Sequence, residues 1–186
     1  RSTQAKNSFP TRRSSDLVHS HLGDYPTPSV DAHSDGNEAT GPARPEVWAE
    51  HSVWPQDPGF SRALANGGVT ALQILPGSAN LFGGRSVTLK NVYARNVQGM
   101  KFPGAPYGLK MACGENPKRV YGSRGQMPQT RMGNMAVNRQ TWARAVEYKR
   151  KLDKGESVNR DWAWKRWPAY CRAKSSSTII AIARMR

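Results

Sequence analysis

Two histidines, His19 and His21, are the residues whose type and spacing most directly suggest chemistry. They lie in the sequence VHSHLG, which has the pattern of a strand that ends in a loop. Alternate residues of a strand point to the same face, so both imidazoles are expected on one side. Neutral imidazoles suit Zn²⁺ or a similar divalent cation. The pattern is short, and a pair of solvent-facing histidines is the alternative.

A lysine in a later apolar segment is the next candidate. Lys110 lies within GLKMAC, residues 108–113, and has apolar neighbours on both sides. This pattern predicts a strand that buries the lysine, and a buried lysine tends to lose its charge. Lys110 is therefore a candidate for metal binding. The alternative is a lysine that forms an ion pair with Glu115 or another acid.

Three further residues are candidates for substrate contact. Glu115 and Asn116 follow the strand of Lys110 in GENP, which is predicted to be its exit loop. Barrel enzymes place functional groups at this end of their strands, although a turn stabilised by Asn116 explains the sequence equally well. His33 lies in a loop over residues 24–58, where a solvated histidine is the alternative to a substrate contact. No general acid or base is identified.

Elements of an α/β protein surround these candidates. The continuous apolar run VTALQIL, residues 69–75, predicts a strand covered on both faces and hence a parallel sheet. Further strands are predicted over 86–92 and 108–113, and helices over 59–66 and 135–154. This order fits an α/β barrel better than a sandwich. A complete (β/α)₈ barrel needs roughly 250 residues, so 186 residues predict the first half of one.

The net charge of +15 would suggest nucleic acid as a partner. The charge is uneven, however. Residues 1–17 contain four basic residues and one acid, and residues 162–186 contain six basic residues and no acid. The region between them is only mildly basic, so nucleic acid is not the expected partner. A basic nucleic-acid-binding protein stays as the alternative function, together with a noncatalytic fragment that associates through an exposed sheet edge.

The N-terminal segment 1–17 is predicted to lie outside the domain. Its last ten residues, SFPTRRSSDL, resemble the translation of a common sequencing-library adapter. Ten consecutive matches leave little to chance. The alternative is a basic, serine-rich flexible tail, and either interpretation excludes the segment from the fold.

The C-terminal segment 162–186 differs in texture from the region 18–161. Three of the six tryptophans fall within six positions there, and the segment has no acid. Moving the reading frame back by one base can turn its last thirteen residues into EILVHNHCYRADE, a buried strand with ligand-type residues at its end. We therefore interpret the segment as frameshifted. The alternative is a genuine basic tail with an apolar TIIAIA strand.

The apolar runs, the N-terminal residues and the two cysteines bear on where the protein is located. No run of 18 apolar residues and no secretory signal is visible, so neither a membrane partner nor a signal peptide is expected. Cys113 and Cys171 have no metal or disulfide spacing. A reducing compartment is compatible with them, which slightly favours the cytoplasm. The oligomeric state stays open.

The longer motifs resemble those of the imidazolonepropionase-like metal-dependent amidohydrolases. HSHLG, VTALQILPGSANLFGG and GLKMACGENPKRVYG occur in the family's order, and the shifted reading of the tail adds LVHNH. The resemblance implies a (β/α)₈ barrel with one or two divalent metals, with His19 and His21 as ligands from the first strand. Lys110 matches the position where some relatives carry a carboxylated lysine that bridges two metals.

The activity that this resemblance implies is hydrolysis of a carbon–nitrogen bond in a small-molecule amide, cyclic amide or dipeptide. Zinc is the expected cofactor. The family's further histidines and its final aspartate have no in-frame counterpart. The chain is therefore expected to be an inactive fragment.

Overall fold

The computed structural model describes residues 15–159, 161–164 and 179–184. These residues contain six strands, in chain order β1 (Ser15–Ser20), β2 (Val69–Ile74), β3 (Phe82–Arg85), β4 (Val87–Lys90), β5 (Leu109–Gly114) and β6 (Ile179–Arg184). The α-helices are α1 (Pro58–Gly67), α2 (Val97–Met100), α3 (Glu115–Gly122) and α4 (Arg131–Asp153). No helix in these ranges is long and apolar enough to span a lipid bilayer.

The strands form two three-stranded sheets, in the orders β1-β2-β4 and β3-β5-β6. β1 pairs with β2 and β5 pairs with β6 in parallel. β2 pairs with β4 and β3 pairs with β5 in antiparallel. The prediction of a parallel sheet is therefore wrong for two of the four pairings. The prediction that β2 is covered on both faces is also wrong, because Leu72 and Ile74 are buried, whereas Thr70 on the same strand is exposed and Ala71 and Gln73 are only partly buried.

The two sheets are connected through one extended segment of the chain, which is interrupted at a single residue. β3 and β4 are consecutive along the chain and are separated only by the fully buried Ser86. Its hydroxyl accepts hydrogen bonds from Gly108 N and from Gln73 Nε2, both at 2.9 Å. The predicted strand over 86–92 is therefore the second half of a longer extended segment. Its first half, β3, belongs to the other sheet.

Helices α1 and α4 begin at residues whose side chains accept hydrogen bonds from the first turn, and α1 ends at a glycine. The Asp57 side chain accepts a hydrogen bond from Gly59 N at the start of α1, and Gly68 ends that helix with φ of 61°. α4 begins at Arg131, four residues before the predicted start at 135, because the Thr130 side chain accepts from Gly133 N at 3.0 Å. Asn134 in the first turn donates to Gly114 O at 3.2 Å, which ties α4 to the end of β5.

Each sheet packs on its own group of buried apolar side chains. The group against the first sheet is Ala49, Val53, Phe60, Leu72, Ile74, Val87, Leu89 and Met100. The group against the second sheet is Leu81, Phe82, Leu109, Met111, Val137 and Ala145, the last two from α4. Helices α1 and α2 contact strands of the first sheet and α3 and α4 contact β5 of the second, and this packing orients the strand ends that carry the candidate residues.

Strand β1 begins inside the segment 1–17 that was predicted to lie outside the domain. β1 starts at Ser15, and its residues Asp16 and Leu17 pair with Ala71 and Leu72. The last three residues of the segment 1–17 thus take part in the sheet. Most of the segment 162–186 lies outside the described residues, apart from residues 162–164 and strand β6.

Candidate metal centre

His19 and His21 lie on one side of β1 and its exit, as their spacing predicts. Their Nε2 atoms are 3.2 Å apart, and their rings are almost perpendicular. His21 Nδ1 donates to the carbonyl oxygen of Leu75 at 2.7 Å, at the end of β2. This bond places the proton of a neutral ring on Nδ1 and leaves the lone pair of His21 Nε2 facing His19.

This geometry suits a shared cation. Two nitrogens bound to one tetrahedral zinc at about 2.0–2.1 Å lie roughly 3.3 Å apart, close to the observed separation. Burial lowers the pKa of both histidines, and the Lys110 ammonium lowers the pKa of both further, although the Leu75 hydrogen bond partly opposes this for His21. Both rings are therefore neutral near neutral pH, which is the form that binds metal.

Lys110 is fully buried, as predicted, and its Nζ atom has no hydrogen-bond partner among the described residues. Burial lowers the pKa of Lys110 to about 8, against the opposing effect of the Asp24 carboxylate. Among the described residues Lys110 forms no ion pair with Glu115 or another acid, although the charge of Asp24 is close enough to act on it. An unpartnered buried amine beside two neutral imidazoles is costly in a purely structural role, and it fits a group that binds or bridges a metal.

Asp24 belongs to the same site, although the sequence did not single it out. It is fully buried, and its Oδ1 accepts from Ser52 Oγ at 2.9 Å, whereas Oδ2 has no partner in the described part of the chain. Burial raises the pKa of Asp24 to about 7, with Ser52 and Lys110 opposing the shift and Asp35 adding to it. The signal that could have found it is an acid three residues after the His-x-His motif.

The donor set in the described residues is small. No group of three or more His, Cys, Asp or Glu side chains within those residues could hold a metal together. The residues that could hold one are His19 and His21, with the amine of Lys110 beside them. The two imidazoles fit a divalent cation of the zinc type, and even with a deprotonated Lys110 the donors are fewer than the four ligands that structural zinc prefers.

An open cleft of about 850 Å³ adjoins this centre. It is lined by residues 34–38, residues 46–52, Pro76, Gly83 and Trp162, and we call it the main cleft. Pro76 directly follows Leu75, which binds His21. A side-chain carbon added to Gly83 would lie 3.3 Å from Lys110 Cγ, so Lys110 lies directly behind the cleft wall. A substrate in the main cleft would therefore lie next to the candidate metal residues.

The three predicted substrate contacts do not line the main cleft. Glu115 and Asn116 are the first residues of helix α3 rather than parts of an exit loop, and Glu115 is exposed. The loop prediction failed because Gly114, with φ of 87°, turns the chain directly from β5 into the helix. His33 lines a smaller depression of about 300 Å³ with Asp35, Ser52 and Trp54, and its ring centroid lies 5.2 Å from that of Trp54.

Comparison with known proteins gives two relevant likenesses. No family model matches the chain. The chain is 37% identical over 145 residues to amidohydrolase tasK of Hapsidospora irregularis, a match that covers 73% of this chain and 15% of that protein. The crystal structure of an amidohydrolase from Thermotoga maritima MSB8 is 40% identical, has a TM-score of 0.78, and is matched over 87% of this chain and 43% of its own. The chain thus spans less than half of either protein, and both of these similar proteins are named amidohydrolases.

Proposed function

We propose that this chain is the metal-binding part of an amidohydrolase that cleaves a carbon–nitrogen bond. His19, His21 and Lys110 would hold the divalent metal, with zinc as the expected ion. The observation that carries the proposal is the pair of Nε2 atoms 3.2 Å apart, next to a fully buried amine without a hydrogen-bond partner. The amidohydrolase likenesses support the reaction class.

When bound, the metal would polarise the amide carbonyl and acidify a water molecule. The chain's own residues prepare the site. Leu75 O fixes the tautomer of His21, and the burial of both imidazoles keeps them unprotonated. The main cleft holds the substrate against the wall formed by Pro76 and Gly83. Within this proposal the substrate is a small-molecule amide, cyclic amide or dipeptide.

Finer assignments are part of the same proposal. The imidazolonepropionase-like subgroup and the partial (β/α)₈ barrel rest on the motifs around β1, β2 and β5. The carboxylated state of Lys110 rests on its position in β5 and on its burial. With two imidazoles and one amine as donors, the chain alone is expected to bind zinc weakly and to hydrolyse no amide.

The test is a zinc titration of the purified chain by calorimetry, with three single variants. His19→Ala and His21→Ala are each expected to weaken zinc binding at least about tenfold, because each removes a first ligand. His51→Ala is the matched control, since the His51 side chain is 73% exposed. Equal zinc affinity of all four proteins, or no zinc binding by the parent chain, would contradict the proposal.

A further inference from the structure

Tyr25 contacts both the candidate metal centre and the main cleft. Its ring packs edge-on against the His21 imidazole, with ring centroids 6.0 Å apart and an interplanar angle of 77°. This arrangement is typical of an attractive edge-to-face contact between aromatic rings. The imidazole is thus restricted by two neighbours, the Leu75 carbonyl oxygen at Nδ1 and the Tyr25 ring. Together they hold it in the orientation that places Nε2 at 3.2 Å from His19 Nε2.

The hydroxyl of Tyr25 lies against the wall of the main cleft. It accepts a hydrogen bond from Asn37 Nδ2, and Asn37 lines the cleft. Two glycines beside it have no room for a side chain. A carbon added to Gly36 would overlap the Tyr25 ring, and one added to Gly77 would lie 2.5 Å from the Tyr25 hydroxyl. The backbone of the cleft wall therefore packs directly on Tyr25.

The exit of β2 fixes both of these contacts. Ala79 N donates to Asn37 Oδ1 at 2.9 Å, so both polar atoms of the Asn37 side chain have a partner. On the same exit, Leu75 O accepts from His21 Nδ1 at 2.7 Å. Tyr25 therefore spans the space between two side chains that are anchored to one short backbone segment. Such a link holds the metal side and the cleft side of the site in one relative position.

We propose that Tyr25 is a positioning residue for both the metal and the substrate: its ring orients His21, and its hydroxyl holds Asn37 in the wall of the main cleft. The inference rests on the proposed function, in which His21 binds the metal and the main cleft binds the amide. One rigid side chain then sets the separation between the metal and the bound amide. Small errors in such a separation are costly to catalysis, so a residue that fixes it is a functional residue.

Two substitutions separate the two contacts of Tyr25. Tyr25→Phe keeps the ring and removes the hydroxyl, whereas Tyr25→Leu removes both. Tyr93→Phe and Tyr93→Leu are the matched controls, because Tyr93 is 92% exposed. If Tyr25→Leu does not fold, Tyr25→Met takes its place, because the flexible methionine side chain fills irregular space in a core.

The ring contact is tested in the metal-free protein by NMR of isotope-labelled histidine, which reports which nitrogen of His21 carries the proton. The parent and Tyr25→Phe are expected to show His21 protonated at Nδ1, the tautomer that Leu75 fixes. Tyr25→Leu is expected to show a mixture of tautomers and to bind zinc about tenfold more weakly in calorimetry. If Tyr25→Leu lowers only the free energy of unfolding and leaves the His21 tautomer unchanged, Tyr25 is a packing residue and the inference is overturned.

The hydroxyl contact is tested by amide hydrogen exchange at Ala79. Tyr25→Phe leaves Asn37 Nδ2 without its acceptor, so the side chain of Asn37 becomes looser. The Ala79 N–H, which binds Asn37 Oδ1, should then exchange about two- to tenfold faster than in the parent. Tyr93→Phe should leave this rate unchanged. An Ala79 rate in Tyr25→Phe equal to that of the parent would overturn the assignment of the hydroxyl.

The same measurements separate this inference from the proposed function. Absence of zinc binding by the parent chain would contradict the metal proposal, and the His21 tautomer in the metal-free proteins would still decide whether Tyr25 orients that ring. Zinc binding that His21→Ala removes and Tyr25→Leu leaves unchanged would support the metal proposal and overturn the inference.

Discussion

Two buried carboxylates, Asp24 beside the candidate metal residues and Glu50 in the cleft wall, have opposite environments. Glu50 accepts from Tyr107 OH at 2.9 Å and lies 2.7 Å from Lys101 Nζ. Burial would raise its pKa, but the hydrogen bonds from Lys101 and Tyr107 outweigh burial and lower it. Among the described residues Asp24 has one side-chain donor, Ser52, and burial raises its pKa to about 7. The contacts of Glu50 therefore stabilise the folded state. The buried carboxylate of Asp24 destabilises it, which is typical of residues at functional sites.

The largest expected effect is on Asp24. Its pKa is raised from 3.8 to about 7, so the folded state holds a proton that the unfolded state has lost between those values. The resulting stability is present at low pH and is lost as the pH rises through 7. Asp24→Asn keeps an acceptor for Ser52 and removes the titration. It should become more stable than the parent by roughly 2–4 kcal/mol above about pH 7.5, with little difference near about pH 4.

Urea unfolding of the metal-free proteins at both pH values measures this difference. Histidines also titrate in this range, but they are common to both proteins and cancel in the comparison. Parallel pH profiles of the parent and Asp24→Asn would show that Asp24 is not desolvated as described.

A smaller effect of opposite sign is expected for Glu50. The same change from carboxylate to amide, Glu50→Gln, removes the ion pair with Lys101 and weakens the contact with Tyr107. It should destabilise the protein by about 1–3 kcal/mol at neutral pH. Because the pKa of Glu50 is lowered in the folded state, this loss should be full above about pH 4.5 and should vanish as the pH falls below it. If the Glu50→Gln protein is as stable as the parent at pH 7, the Glu50 carboxylate does not stabilise the fold, and the proposed difference between Glu50 and Asp24 is wrong.

The sequence was sufficient for those parts of the site that depend on local periodicity. The common side of His19 and His21 follows from the two-residue repeat of a strand, and the burial of Lys110 follows from its apolar neighbours. The burial of Asp24 was not visible in the sequence, because the side chain that donates to it, Ser52, is 28 positions away in the chain. Short-range patterns carry no information about such a contact.

The main cleft also could not be seen in the sequence, because it is formed by contacts between residues that are far apart in the chain. The loop over residues 24–58 has the composition of an irregular surface segment, yet contacts such as that of Asn80 Nδ2 with Glu38 O at 2.7 Å fix it against the exit of β2. The directions of β3 and β4 were also missed, since the interruption at Ser86 gains its meaning only when the two sheets are assembled. The net charge of +15 gave no indication of an acidic cleft, because the net charge of a chain does not show where its charged residues lie.

The most direct test of the metal centre is the visible absorption of cobalt(II) bound to the purified chain in place of zinc. Cobalt(II) is a spectroscopic probe of its own ligands. We predict one cobalt per chain with a ligand-field band that is lost in the double variant His19→Ala, His21→Ala. In Lys110→Met, which keeps an apolar side chain of similar length in the buried position, the band should be shifted and weakened. Identical spectra for the parent and both variants would show that the cation binds elsewhere and would contradict the assignment of these three residues.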